Sequence, residues 1–189
     1  INNNADNRII TGSGTANTLE GEANLTFDGS SLGVKRSGGG DVAVNIECGN
    51  TISQSRILFR DSSDIDGIIT YDHNDRKLYL GAGTNAATDG DITIDSSGRV
   101  LIGTTTVGEN DADDLTIANS AHAGITLRSG TSSQGAIYFS DATSGAAQYD
   151  GFLGYNQSDR TMFFGTAQAT RIRIDSSGRL LLGTSTAGH

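Results

Sequence analysis

The sequence predicts an all-β chain in which one unit of hairpins and strands is used twice. The phrase IDSSGRVLIGTTT, which begins at Ile94, returns as IDSSGRLLLGTST from Ile174. The residues around both copies alternate between apolar and polar, which is typical of strands rather than helices. The chain of 189 residues contains 26 Gly and no Pro, and Ser, Thr, Asn and Asp fill much of the remainder. This composition favours many short strands joined by turns.

The chain divides into a lead-in, two repeats and a linker. The lead-in, 1–42, ends in LTFDGSSLGV, which we interpret as a hairpin around an Asp-Gly turn. Repeat 1 covers 43–107 and repeat 2 covers 123–189, because RILFRDSS aligns with AIYFSDAT and GIITYDHNDRKLYLG with GFLGYNQSDRTMFFG. The linker, 108–122, enters a strand at its alternating Leu-Thr-Ile.

Within each repeat the recurring phrase predicts a hairpin. In repeat 1 an alternating Ile92-Thr93-Ile94 leads into Asp-Ser-Ser-Gly, and the chain returns as Val100-Leu101-Ile102. The Asp carboxylate can cap such a turn, and Gly adopts the positive φ that hairpin loops often require.

The return strands indicate an oligomer. Val100–Ile102 and Leu180–Leu182 are apolar throughout, so both faces of each strand carry apolar groups. One face can pack inside its own subunit, and the other needs a partner, most simply another copy of the chain. We therefore expect an elongated homo-oligomer with the repeats stacked along its axis. A self-contained monomer in which Leu101 and Leu181 pack entirely against their own chain would contradict this.

Composition excludes several classes of partner. The formal charge of -9 disfavours nucleic acid and anionic membrane surfaces, since both need clustered Lys and Arg. No apolar run is long enough to insert into a membrane. Cys48 is the single cysteine, so no intrachain disulfide is expected. The start at Ile1 rather than Met suggests a fragment or a processed piece.

The stretches GIITYDHNDRKLYL and ITIDSSGRVLIGTT resemble the distal region of bacteriophage tail fibres and tailspikes, of the type that precedes a C-terminal intramolecular chaperone. Residues 5–34 are similar to the lead-in of fibres from marine and cyanobacterial phages. The resemblance implies an intertwined homotrimer, β-prism or triple β-helix-like, located in the virion tail and extracellular after release. It also implies contacts with other phage tail proteins and with a host surface glycan or outer-membrane protein.

The same resemblance carries no catalytic residue to this chain. Family members often continue into a self-cleaving chaperone with a Ser-Lys centre, whereas this sequence stops at His189, as a mature fibre or a truncated piece would. We expect an attachment fibre without enzymatic activity or a cofactor. Two alternatives stay open: a tailspike that depolymerises polysaccharide, and a bacterial surface adhesin or stalk.

Candidate metal ligands are isolated. His73 is the best single candidate, but Gln157 replaces it in repeat 2, and His122 and His189 have no partner at metal spacing. The acidic runs Asp111–Asp114 and Asp89–Asp91 do not match the calcium-loop pattern. The stretch Ser37–Asn45 resembles a calcium-binding nonapeptide, but only once, and that fold needs tandem copies. We predict no metal site.

Candidate saccharide contacts are of three kinds. The pairs Asp75-Arg76 and Asp159-Arg160 recur in both repeats, and we favour turn formation with a salt link to a neighbouring strand over sugar binding. Tyr149, Phe152 and Tyr155 are predicted to form an aromatic cluster, for which core filling is the favoured role. The loop Asp141–Gln148, which is longer in repeat 2, is predicted to be a specificity surface.

Overall fold

The computed structural model describes residues 8–12, 19–36, 40–62, 64–83 and 91–183, with side-chain surroundings from residue 24 onward. This part of the chain contains fourteen strands in three sheets and a single short 3-10 turn. The predicted all-β class is therefore confirmed. The sheets are open, and no barrel or prism is closed within the described chain. None of the described segments forms a helix of the length and apolarity that crossing a membrane requires.

The first sheet lies in the lead-in. Its antiparallel strands, in spatial order, are β1 (Arg8–Gly12), β2 (Leu19–Phe27) and β3 (Leu32–Val34). The β2–β3 hairpin confirms the prediction for LTFDGSSLGV. Its turn is held by Asp28, whose Oδ1 accepts the N–H groups of Ser30 at 3.0 Å and Ser31 at 2.7 Å. These hydrogen bonds lower the pKa of Asp28, and the bond from the Ser30 backbone has the largest effect.

The second sheet is a meander of six strands. They are β4 (Gln54–Arg60), β5 (Ile65–Asp72), β6 (Lys77–Ala82), β7 (Ile92–Ile94), β8 (Val100–Ile102) and β9 (Leu115–Ile117). Neighbours in the sheet follow chain order, and all pairs are antiparallel except β8 with β9, which is parallel. The strand expected at the end of the linker is thus the edge strand β9.

The third sheet repeats the first five strands of the second. It consists of β10 (Gln134–Phe139), β11 (Gly151–Asn156), β12 (Thr161–Thr166), β13 (Ala169–Ile174) and β14 (Leu180–Leu182), all antiparallel. The 3-10 turn Ala146–Tyr149 precedes β11. The chain forms two compact units, Ile1–Ala121 and His122–His189.

Both Asp-Ser-Ser-Gly segments form the predicted hairpin turns. Oδ1 of Asp95 accepts the N–H groups of Ser97 at 2.9 Å and Arg99 at 3.1 Å, and Gly98 has φ 83°. The turn at Asp175 has the same bonds, and Gly178 there has φ 79°. In each turn the Asp also pairs with the Arg four residues later, through Nε at 2.7 Å.

The turn of repeat 1 is tied to the linker as well. The Arg99 guanidinium also bonds to Asp113 at 2.7 Å, so one cation joins the β7–β8 turn to the segment that leads into β9. Asp95 is buried. The side-chain hydrogen bond from Arg99 is the largest of the effects that hold the pKa of Asp95 below its ordinary value of 3.8.

Acid is expected to destabilise this turn. Because the pKa of Asp95 is lower in the folded than in the unfolded chain, its stabilisation is complete above about pH 4 and is lost as pH falls further. Asp95→Asn should lower the free energy of unfolding at pH 7 by roughly 2 kcal/mol and weaken its acid dependence. Denaturant unfolding at pH 7 and at pH 3, at one protein concentration, measures both changes. Parallel losses of stability in the variant and the parent would contradict this.

Few large side chains are buried in the described chain. Only Ile68, Tyr79, Leu101 and Leu181 among the large hydrophobic residues are buried, whereas twenty-four are exposed. Leu101 and Leu181 are 0% and 5% exposed within their own chain, so these two residues belong to the face that packs inside its own subunit and not to the face expected to need a partner. Their neighbours Leu180 and Leu182 are 62% and 67% exposed instead. The alternation of a strand explains the difference, because it turns Leu181 inward and both neighbours outward.

Candidate functional site

The second and third sheets each have two unlike faces. In the second sheet, one face, here called the inner face, includes the side chains that are at most 5% exposed: Ile68, Thr70, Tyr79, Thr93 and Leu101. The inner face of the third sheet is the corresponding side, which carries Phe163, Arg173 and Leu181. The opposite face, here called the apolar face, carries aliphatic and aromatic side chains that remain partly or largely exposed. It is the stronger candidate for contact with another protein chain, since exposed apolar patches of this kind mark interaction sites.

Rows of directly paired residues build the apolar face. In the second sheet one row takes one residue from each of the six strands: Ile57, Ile69, Leu80, Ile92, Ile102 and Ile117. A second row runs beside it through Tyr71, Leu78, Ile94, Val100 and Leu115. The residues within a row lie on one face because cross-strand partners point to the same side of a sheet.

The third sheet reproduces both rows. The first consists of Ile137, Leu153, Phe164, Ile172 and Leu182, and the second of Tyr155, Met162, Ile174 and Leu180. A phenylalanine stands beside each first row, Phe59 in the second sheet and Phe139 in the third, at 55% and 60% exposure. Both repeats therefore present an equivalent apolar face that a single chain leaves partly open to solvent.

The inner face of the third sheet contains an aromatic pocket. Its volume is about 390 Å³, and its aromatic walls are Tyr138, Tyr149, Phe152 and Phe163. The Phe152 ring contacts both neighbours, with centroids 6.4 Å from Tyr138 and 5.8 Å from Phe163. Distances in this range are favourable for tilted and edge-to-face ring pairs. Tyr138 and Tyr149 are 49% and 43% exposed, so these rings are accessible from solvent.

Glycine makes room for the two phenylalanine rings. A Cβ at Gly154 would lie 2.5 Å from Cζ of Phe163, and one at Gly165 would overlap the ring of Phe152. Each ring therefore lies across a glycine of a neighbouring strand. The ring is held there and fills the space that a side chain at the glycine would occupy.

A methyl group at Gly165 should disturb the pocket. Gly165→Ala is expected to displace Phe152 and to cost about 1–3 kcal/mol of stability, because no space exists for the added carbon. Gly124→Ala is the control in the same unit, since nothing lies within 4 Å of the position its Cβ would take. Thermal unfolding compares the two. Equal melting temperatures would show that the ring does not lie against Gly165.

Polar groups complete the lining of the pocket. They are Gln134, Asn156, Thr161, Gln168, Thr170 and Arg173. Gln134 Nε2 donates to the Tyr138 hydroxyl at 3.0 Å, and Gln168 Nε2 donates to Asp150 at 3.2 Å. Arg173 pairs with Asp159 at 3.2 Å, so a carboxylate balances its charge. The lining thus combines rings with carboxamides and hydroxyls, which both donate and accept hydrogen bonds.

In the described part of repeat 1, buried side chains fill the inner face where the pocket lies in repeat 2. Ile68 and Tyr79 are buried where Phe152 and Phe163 stand in repeat 2, and Leu58 occupies the position of Tyr138. The four extra residues of repeat 2 make a further difference, because the loop that they lengthen contains the 3-10 turn that ends at Tyr149, a residue of the pocket wall. The predicted specificity loop, Asp141–Gln148, therefore leads directly into this site.

The aromatic cluster that the sequence predicts is partly wrong. Tyr149 and Phe152 do line one pocket, but Tyr155 belongs to the apolar face, where it pairs with Met162. An odd spacing within a strand puts Phe152 and Tyr155 on opposite sides, so the strand period was the signal that could have separated them. Sequence reasoning also missed Tyr138 and Phe163, because strands β10 and β12 reach the pocket only through their pairing with β11.

The recurring Asp-Arg pairs form turns, as predicted. Arg76 and Arg160 have φ 55° and 56°, which is the left-handed region that the strand-joining turns use. Asp159 makes the expected salt link to a neighbouring strand through Arg173 of β13. Asp75 Oδ1 accepts a hydrogen bond from the Asn74 side chain at 2.7 Å.

The candidate metal ligands are engaged elsewhere or lie apart. His73 Nε2 is 3.0 Å from the Ser55 hydroxyl, and its ring meets Tyr71 edge-on with centroids 4.9 Å apart. His122 is exposed. Within the described ranges no three His, Cys, Asp or Glu side chains are grouped closely enough to hold a metal ion. His189, residues 89–90 and residues 37–39 lie outside those ranges.

The function of the chain has to be inferred from its fold and its candidate site, because comparison with known proteins does not supply one. The chain matches no protein-family model and no curated protein significantly.

Proposed function

We propose that the chain is a segment of a homotrimeric bacteriophage tail fibre that attaches the virion to the host cell surface. The observation that carries the proposal is the apolar face, which both repeats present in equivalent form and a single chain leaves partly exposed. Resemblance to tail fibres supports the number of subunits and the phage assignment, and the physical argument below supports self-association.

Identical copies are the simplest cover for the apolar face. Its rows are made of Ile, Leu, Val, Phe, Tyr and Met, which bury favourably against similar groups at about 25 cal/mol per Å². In an assembly with closed rotational symmetry every subunit makes the same contacts. The apolar face of each subunit is therefore covered by a neighbouring subunit. In a trimer, three such sheets can each turn the apolar face toward a common axis, in the manner of a prism.

Two repeats of this kind are compatible with a fibre because each repeat has its own apolar face for contact with other subunits. Stacking repeats along one axis lengthens the assembly without requiring a larger core in any single chain. Stability then depends on association, which agrees with the small number of large side chains buried within the described chain. An elongated body of this kind can hold a receptor-binding surface away from a virion.

Electron microscopy with mass measurement tests the proposed assembly. The purified chain should form rods of about 59 kDa, three times its own 19.6 kDa. The purified protein should also reduce adsorption of the parent phage, whose gene for this chain would lie among capsid and tail genes. A compact 19.6 kDa monomer, or a gene beside a secretion system, would reject the phage fibre.

A depolymerising tailspike is the enzymatic alternative. It requires two carboxylates held at a defined separation beside the scissile bond. The ten residues that line the aromatic pocket are aromatic, amide, hydroxyl or guanidinium side chains, a set suited to binding a ligand. Release of reducing ends from host polysaccharide would favour the tailspike over the adhesive fibre.

A further inference from the structure

We propose that the aromatic pocket of the third sheet is a binding site for a neutral saccharide. The proposal deepens the attachment function above, on which the host origin of the saccharide rests.

The pocket offers the two kinds of contact that a sugar ring requires. The apolar C–H face of a sugar can pack on the rings of Tyr138 and Tyr149, whose electron-rich faces attract weakly positive hydrogens. Sugar hydroxyls both donate and accept, and the side-chain amides of Gln134, Asn156 and Gln168 do likewise around the rim. The volume of about 390 Å³ lies within the usual range for small-molecule sites.

Charge favours a neutral ligand over an acidic one. Among the described residues that line the pocket, Arg173 is the one cationic side chain, and Asp159 already pairs with it at 3.2 Å. The chain carries a formal charge of -9, which repels acidic polysaccharides over distances comparable to the Debye length. An acidic sugar would have to compete with Asp159 for Arg173 and overcome this repulsion.

The pocket is built before any ligand arrives. Phe152 and Phe163 are held across Gly165 and Gly154, and the Tyr138 ring lies beside Phe152 with centroids 6.4 Å apart. The loop that carries Tyr149 is tied by its own bonds, from the Gln148 side chain to the Thr143 carbonyl at 2.6 Å and from the Ser140 hydroxyl to the Ala147 carbonyl at 3.2 Å. A preformed site loses less conformational freedom on binding.

The location of the pocket keeps it compatible with trimer formation. It lies on the inner face of the third sheet, whereas the residues proposed to join the subunits lie on the opposite, apolar face. The same inner face in repeat 1 is filled by Ile68, Thr70 and Tyr79, so an open aromatic surface is not required by the shared fold. Repeat 2 presents accessible rings where repeat 1 has buried side chains.

Calorimetric titration of the full chain tests the site. The probes are two neutral oligosaccharides, maltohexaose and chitohexaose, a neutral O-chain polysaccharide from host lipopolysaccharide, and an acidic control, a hexasaccharide of polygalacturonic acid. We expect a neutral probe to bind at one site per chain, and Tyr138→Ala or Tyr149→Ala to weaken that binding at least about tenfold. Leu58→Ala, at the position of Tyr138 in repeat 1, should leave the affinity unchanged.

The outcomes separate this proposal from the attachment function. Failure of every neutral probe, preference for the acidic probe, or unchanged affinity in both tyrosine variants overturns the saccharide site. Sedimentation of the same samples reports the assembly, which the tyrosine variants should preserve because both residues lie off the apolar face. A trimer that blocks phage adsorption but binds no neutral probe would reject this site and leave the fibre intact.

Discussion

Replacing Phe59 or Leu180 by Asp is expected to dissociate the assembly into single chains. Both side chains lie on the apolar face and are 55% and 62% exposed within one chain, so a partner subunit must cover them in the proposed trimer. A carboxylate buried there without a partner costs several kcal/mol, and the cost recurs in every subunit. Sedimentation velocity over a range of concentrations should show a mass near 19.6 kDa in place of the trimer.

Two matched controls add the same charge away from the apolar face. Ser62→Asp lies close to Phe59 along the chain and Ser176→Asp lies in the turn before Leu180, and both serines are exposed outside the strands. These variants should retain the parent mass. If Phe59→Asp and Leu180→Asp also retained it, the apolar face would not be the subunit interface.

The second large effect concerns the core within one chain. Leu101→Ala is expected to lower the free energy of unfolding by about 2–5 kcal/mol, the usual cost of a cavity at a fully buried leucine. Leu101 is 0% exposed and stands between Thr93 and Thr116 of the neighbouring strands. Hydrogen exchange should show lost protection in the second sheet, and denaturant unfolding at fixed protein concentration should give the magnitude.

Leu181→Ala and Leu58→Ala complete this comparison. Leu181 is the counterpart of Leu101 in repeat 2 and is 5% exposed. Leu181→Ala should therefore lower the free energy of unfolding by a similar amount, and the loss of hydrogen-exchange protection should be confined to the third sheet. Leu58 is on the same inner face as Leu101 but 38% exposed, so its truncation should cost much less. Equal losses in all three variants would mean that the inner face has no distinct buried centre.

Turn chemistry was the most predictable part of the fold. Asp95, Asp175 and Asp28 each bond to backbone N–H groups within the next few residues, and these bonds depend only on local sequence. Glycine with positive φ completes each turn. Because such contacts span four residues or fewer, the hairpins could be predicted without knowledge of any distant part of the chain.

The site was less predictable because it depends on strand pairing. Tyr138 and Phe152 are directly opposite in the register of β10 with β11, although an insertion separates them along the chain. A one-residue change of register would move either ring to the other face. The assignment of Tyr155 to the same cluster was wrong for a different reason, because alternation within β11 turns Tyr155 toward the apolar face.

The sequence by itself determined the all-β class, the use of one unit twice, the turns that join its strands and the shortage of large core residues. These properties follow from composition and from contacts between near neighbours in the chain. Only the tertiary structure decided which side of each return strand is buried, that both repeats present matching apolar rows, and that repeat 2 opens an aromatic pocket where Ile68 and Tyr79 of repeat 1 are buried. Those features depend on which residues face each other across separate strands, and that is set by register and packing over the whole sheet.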